Sequence, residues 1–232
     1  MRGAQRSALA AISATAALLA LALWLAAPGV VPATLGLALF GLIGAVVLAR
    51  VETSHPFPDF GPANRVTLGR AALACLLATL VVMEAMAIPL LAFLATVIIL
   101  MLDGVDGWIA RRTGTVSRFG ARFDMEVDAL LVLILSAAAW LDGKAGIWVL
   151  LLGLMRYAFV LAGAVWPALA ADLPPSGRRK FVCVVQICIL AALLLPQVTQ
   201  PLSAWLALAA LIALAWSFAV DVAWLLRRSA RA

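Results

Sequence analysis

D-G-V-D-G-W-I-A-R-R-T-G-T-V-S-R-F-G-A-R-F-D-M-E-V-D, residues 103–128, packs four aspartates (Asp103, Asp106, Asp124 and Asp128) into an otherwise greasy chain. Upstream lies L-L-A-F-L-A-T-V-I-I-L-M-L (90–102) and downstream A-L-L-V-L-I-L-S-A-A-A-W-L (129–141). Each flank continues as a helix into the charged segment, and the short polar turn Arg112 to Ser117 makes the two helices antiparallel neighbours. Asp103, Asp106 and Ala110 share one helical face by i, i+3, i+4 spacing, as do Gly120, Asp124 and Asp128. Carboxylates within membrane-spanning helices are costly, so their default reading is functional.

Composition sets the surroundings. The chain is 66% hydrophobic and 12% charged, whereas soluble domains run at about 45–50% and about 25%. The sequence therefore predicts an all-α, polytopic membrane helix bundle. A spanning helix needs about 20 mostly apolar residues, and eight candidates answer: 8–27, 30–49, 67–88, 90–111, 123–141, 147–170, 181–195 and 202–226. Pro28, Pro32, Pro89, Pro174, Pro175, Pro196 and Pro201 punctuate them. The first apolar run is too long for a cleaved signal segment and reads as a retained helix. Cys75, Cys183 and Cys188 all fall in apolar segments, and no disulfide framework is implied.

The formal charge of +6 is a topology signal. With the N-terminus inside, the cytoplasmic side collects Arg2, Arg6, Arg50, Arg65, Arg70, Arg111, Arg112, Arg118, Arg122, Arg178, Arg179, Lys180, Arg227, Arg228 and Arg231. The opposite side receives Lys144, and Arg156 is left inside the 147–170 span. This bias puts both termini in the cytoplasm, with anionic lipid headgroups as an added attraction. Nothing in the pattern suggests nucleic acid. The linker Arg50 to Asn64 carries His55, read as a solvated loop histidine. Residues 1–63 form a two-helix extension with this linker, and 64–232 the core.

From Leu90 to Asp103 a helix rises roughly 20 Å. That leaves the aspartates on the order of 10 Å below the cytoplasmic surface of a hydrocarbon core about 30 Å thick. Four carboxylates so close cannot all stay ionised without protons or cations to compensate. Oxygen-only ligands favour a hard ion, Mg²⁺ or Mn²⁺. Two such ions suit phosphoryl chemistry, because they clamp both the attacking and the leaving oxygen. Gly107, Ala110 and Gly120 leave the helix surfaces bare, and Arg111 can neutralise phosphate oxygens. A cation transporter or channel is the competing reading, but it wants acidic groups spread along a path across the membrane.

The pattern D-x2-D-G-x2-A-R-x8-G-x3-D-x3-D, filled here by Asp103, Asp106, Gly107, Ala110, Arg111, Gly120, Asp124 and Asp128, resembles the signature of the CDP-alcohol phosphotransferases. N-R-V-T-L-G-R (Asn64 to Arg70) is similar to that family's opening N-x2-T-x2-R, and S-G-R-R-K-F-V-C-V-V-Q (176–186) to a basic stretch before its fifth core helix. The resemblance implies a six-helix catalytic core from Thr67 onward, with the two N-terminal transmembrane helices outside it. It implies displacement of CMP from a CDP-lipid, usually CDP-diacylglycerol, by the hydroxyl of a small polar alcohol. A reverse polarity, with a soluble CDP-headgroup donor and a lipid alcohol acceptor, uses the same motif. Asp103, Asp106, Asp124 and Asp128 would be metal ligands, and Asp128 also the general base. Asn64, Thr67, Gly107, Ala110, Arg111 and Gly120 would line the CDP site. Arg122, Arg156 and Lys180 are the acceptor-side candidates. For Arg156 the alternative is an ion pair with the aspartates, and for Lys180 simple membrane anchoring. The family habit also implies a homodimer, and the Ala/Leu-rich composition a bacterial inner membrane.

Overall fold

The computed structural model describes residues 3–26, 30–82, 89–171, 173–174 and 176–229. Arg2, Pro28, Glu84, Pro175 and Arg231 lie outside them. The described residues are helical and contain no strand. Eight α-helices follow in order: α1 (Gly3–Ala26), α2 (Val30–Ser54), α3 (Pro62–Val82), α4 (Pro89–Arg112), α5 (Arg118–Leu141), α6 (Leu151–Val165), α7 (Gly177–Leu193) and α8 (Leu202–Ser229). Short 3₁₀ turns at Ile147–Leu150 and Pro167–Ala170 bracket α6.

Among the described residues six helical segments are long and apolar enough to cross a membrane: α1, α2, α3, α4, Ile147–Val165 and α8. The chain is an integral membrane protein. Helices α5 and α7 fall short for identifiable reasons. Helix α5 opens with Arg118, Arg122, Asp124, Glu126 and Asp128, so its apolar run is only the 13 residues Ala129–Leu141. Helix α7 has 17 residues and opens on Arg178, Arg179 and Lys180. The span expected over 147–170 is interrupted, because Trp166 is extended (φ −114°, ψ 98°) ahead of Pro167. A residue before proline is pushed out of the helical region.

Two compact units divide the chain, Met1–Leu130 and Leu131–Ala232, with α5 continuing through the boundary. In the first unit α3 is the hub: α1, α2 and α4 all pack on it. Its burial runs all round the helix, through Leu68, Ala71, Ala72, Ala74, Cys75, Leu77, Ala78 and Val81. A helix apolar on every side belongs in the interior, and its alanines let the neighbours approach closely. Helices α1 and α2 bury narrow stripes instead, Ala4, Ala8, Leu19 and Leu23 on α1 and Gly36, Phe40, Gly44, Val47 and Val51 on α2. Trp24, Leu25, Leu42 and Val46 remain exposed, as expected of helices with one face toward lipid.

In the second unit α8 packs against α6 and α7. Gly153 of α6 sits so close to Leu133 of α5 that a Cβ at 153 would collide with the Leu133 backbone. Lys144, in the turn after α5, is buried and donates from Nζ to the carbonyls of Leu195 (3.2 Å) and Val198 (3.0 Å), with Asp142 at 3.4 Å. It thus ties the turn after α5 to the segment that follows α7. The Lys144→Met variant should lose about 3 kcal/mol or more, since two hydrogen bonds from a charged group go and each contributes about 1.5–3 kcal/mol. Thermal unfolding in detergent reads this as a lowered midpoint.

Candidate active site

Helix α4 ends by reversing direction. Gly114 takes a positive φ of 66°, and the Thr115 amide donates back to the Ala110 carbonyl at 3.0 Å. This is the left-handed closure that glycine permits after a helix. Ser117 then starts α5: its Oγ accepts from the Gly120 amide at 3.0 Å, satisfying one of the unpaired first-turn donors. The chain has turned within a few residues, and the Asp103 and Asp106 end of α4 meets the Asp124 and Asp128 end of α5.

What lies between them is a residue of α3. The guanidinium of Arg70, 1% exposed, reaches all four carboxylates. Nη1 stands 2.8 Å from Asp106 Oδ2 and 2.5 Å from Asp124 Oδ1. Nη2 stands 2.9 Å from Asp103 Oδ1 and 2.5 Å from Asp128 Oδ1. Thr67, one turn earlier, donates from Oγ1 to Asp106 Oδ2 at 2.9 Å. Carboxylate oxygens of Asp103, Asp106 and Asp124 all lie within 4.8 Å of one another. One fixed positive charge faces four negative ones, and Arg70 Nε is buried with no acceptor. The donor set is oxygen only, close-set and over-supplied with negative charge, so it fits hard divalent cations.

Around this cluster the sequence-predicted CDP residues take distinct places. Asn64 donates from Nδ2 to the Phe60 carbonyl at 2.5 Å, and its Oδ1 lies against Gly120, 3.0 Å from where a Cβ would stand. Gly120 is therefore the point where α5 comes close to α3. Arg111 folds back along α4, its Nη1 3.2 Å from a Cβ placed on Gly107. The bare surface at Gly107 is where the Arg111 guanidinium rests.

The family model for CDP-alcohol phosphatidyltransferase matches residues 60–220. The chain belongs to this family. Neither a search of curated proteins nor one of solved structures returned a match. As a CDP-alcohol phosphatidyltransferase, the protein is a membrane enzyme of phosphatidyl transfer, acting on a CDP-alcohol donor and an alcohol acceptor, in a family that uses divalent metal. A transporter reading of the aspartates gives way to this membership.

Within the first unit the structure brings Thr67, Asp103, Asp106, Asp124 and Asp128 together around Arg70, while Asn64 lies against Gly120 and Arg111 over Gly107. Ala110 is half-buried one turn beyond Asp106, and Arg122 is exposed on α5. Arg156 (half-buried on α6) and Lys180 (exposed on α7) belong to the second unit. There Asp221 takes Arg178 Nη2 at 2.5 Å and Arg179 Nη1 at 3.4 Å, so these two arginines brace α7 against α8.

Two residues differ from their sequence reading. Arg70, counted among the cytoplasmic topology charges, is buried amid the aspartates. The spacing Asn64, Thr67, Arg70 already carried the signal, since three-residue steps keep all three on one stripe of α3. His55 is buried rather than solvated. Its Nε2 meets the Asp59 carbonyl at 2.8 Å and its Nδ1 meets Ser117 Oγ at 3.3 Å, with Phe57 and Phe119 stacked edge-on. The linker is also held from the other side, where the Phe60 amide donates to Ser7 Oγ of α1 at 2.8 Å. The extension is thus bonded to the N-terminus of the helix that carries Asp124 and Asp128. Ser117→Ala removes both the cap and the His55 contact. It should cost about 1 kcal/mol, the usual loss for a deleted N-cap, measured as a lower unfolding midpoint with the aspartates intact.

Proposed function

We propose that the enzyme transfers a phosphatidyl group from CDP-diacylglycerol to a small polar alcohol and releases CMP, with Mg²⁺ or Mn²⁺ held by Asp103, Asp106, Asp124 and Asp128. The observation that carries this reading is the convergence of four carboxylates from two antiparallel helices on one buried point. When bound, two divalent ions supply charge to the diphosphate in transit and polarise its phosphorus.

The chain's own residues do the rest. Asp128 accepts the proton of the incoming hydroxyl. The alcohol oxygen forms a bond to the lipid-bearing phosphorus, and the bond from that phosphorus to the CMP oxygen breaks. A positioned base of this kind contributes about 10²–10⁴-fold. Thr67 orients Asp106, the most enclosed of the four carboxylates. Gly107, Ala110, Gly120 and Asn64 are assigned to the cytidine diphosphate, with the Arg111 guanidinium that rests on Gly107 swinging out to meet the phosphate oxygens and so baring the backbone there. Arg122, Arg156 and Lys180 are assigned to the acceptor.

Residues 1–63 serve as a membrane extension and linker, and 64–232 as the catalytic core. The basic residues orient both termini and the site toward the cytoplasm of a bacterial inner membrane. The test is a CMP-release assay on purified protein with CDP-diacylglycerol, a panel of candidate alcohols, and Mg²⁺ or Mn²⁺ present or chelated. Metal-dependent CMP release with one class of acceptor supports the reading. Release only from a soluble CDP-headgroup and a lipid alcohol reverses the donor assignment, and no release with any pair refutes it.

A further inference from the structure

The structure assigns to Arg70 the role of a resident counter-cation, which holds the four carboxylates together and competes with the divalent ions for them. This rests on the proposed metal site, but it concerns a residue that site does not use as a ligand.

The geometry carries the inference. Arg70 is fully enclosed, projects from the most buried helix of its unit, and spans 2.5–2.9 Å contacts to aspartates on both α4 and α5. A guanidinium does not lose its proton in proteins, so this charge is permanent. Its planar fork makes two pairs of contacts, Nη1 with Asp106 and Asp124, Nη2 with Asp103 and Asp128. Each nitrogen therefore ties one carboxylate of α4 to one of α5. Without it the carboxylates of the metal-free protein would repel across the helix interface.

The same charge works against metal binding. An ion that takes these oxygens must share them with a cation already within hydrogen-bond distance. By linkage, whatever Arg70 contributes to the metal-free site is subtracted from the affinity for metal. Arg70 is thus a positioning residue. It keeps the site assembled between turnovers and holds metal affinity low enough for ions to exchange.

The experiment uses the full chain in detergent, with Arg70→Met and Arg70→Lys beside the parent. Free Mn²⁺ is followed by electron paramagnetic resonance during titration, and unfolding midpoints are taken in chelator and in saturating Mn²⁺. For Arg70→Met the expected result is a lower midpoint in chelator, a larger rise on adding Mn²⁺, and Mn²⁺ binding tightened by about tenfold or more. Arg70→Lys, which keeps the charge but not the fork, lies between. If Arg70→Met is too unstable in chelator, Arg70→Lys alone decides, since its affinity must still exceed that of the parent. Unchanged or weaker Mn²⁺ binding in both variants overturns the inference, and would assign Arg70 to holding the site's geometry or the substrate phosphate. That outcome with metal-dependent CMP release intact in the parent leaves the proposed function standing. Tighter Mn²⁺ binding without CMP release from any donor supports the counter-cation and refutes the function.

Discussion

Asp128→Asn lowers CMP release by about 10²–10⁴-fold, the range a positioned base contributes, while the helices and their packing persist. The amide has nearly the volume of the carboxylate, so the loss reports chemistry rather than a hole. Asp128 is suited to this role by position. It lies one turn beyond Asp124 on α5, with its side chain 18% exposed, against 5% for Asp106. It is also the one aspartate of the four outside the tight trio Asp103, Asp106 and Asp124. Single-turnover CMP release at saturating donor and metal isolates the step. A loss confined to the chemical step, with donor binding kept, is the expected pattern, and full turnover would remove Asp128 from the role of base.

Asp106→Ala weakens Mn²⁺ binding by more than about 100-fold, beyond the about 10–100-fold loss that follows from disturbing an outer-shell neighbour. CMP release falls with it. Asp106 is the most enclosed of the four carboxylates and serves three demands, two of them at one oxygen. Oδ2 accepts from Thr67 Oγ1 and from Arg70 Nη1, and the same carboxylate belongs to the close-set trio. Its removal deletes two buried hydrogen bonds, of which the one to the guanidinium contributes about 1.5–3 kcal/mol, while Thr67 Oγ1 keeps the Ala63 carbonyl and Arg70 Nη1 keeps Asp124. The unfolding midpoint therefore drops along with the affinity. Arg70→Met and Asp106→Ala both destabilise the metal-free protein, yet they move metal affinity in opposite directions. Titration of the two side by side separates a ligand from a competitor of ligands.

Much of this was legible in the linear sequence because the physics is local. Apolar runs of about 20 residues and prolines at their ends marked the helices. Three- and four-residue steps put Asp103 with Asp106, and Asp124 with Asp128, on facing surfaces. The short turn through Gly114 made the two helices antiparallel. What stayed hidden depends on distant residues. Arg70 reads as one more basic residue near a span end until α3 is seen to stand between α4 and α5. His55 reads as a loop residue because its cover comes from Phe119, 64 positions away, and its hydrogen bond from Ser117, 62 positions away. The break before Pro167 was written in the sequence, but an apolar stretch flowing past it masked the signal. The linker's attachment to Ser7 of α1 needed three elements to be folded at once.

The brevity of α5's greasy portion bears on the lipid around it. Ala129–Leu141 is 13 residues, or about 20 Å of rise, set in a bilayer whose oily layer is about 30 Å deep. Residues 129–139 are buried or half-buried in protein, so neighbouring helices rather than lipid cover this stretch, and an upright α5 would leave its charged end to be met by water or headgroups dipping inward. Such a dip would bring headgroups toward the aspartates, and a reactive diphosphate would then need no lifting clear of its neighbours to be processed.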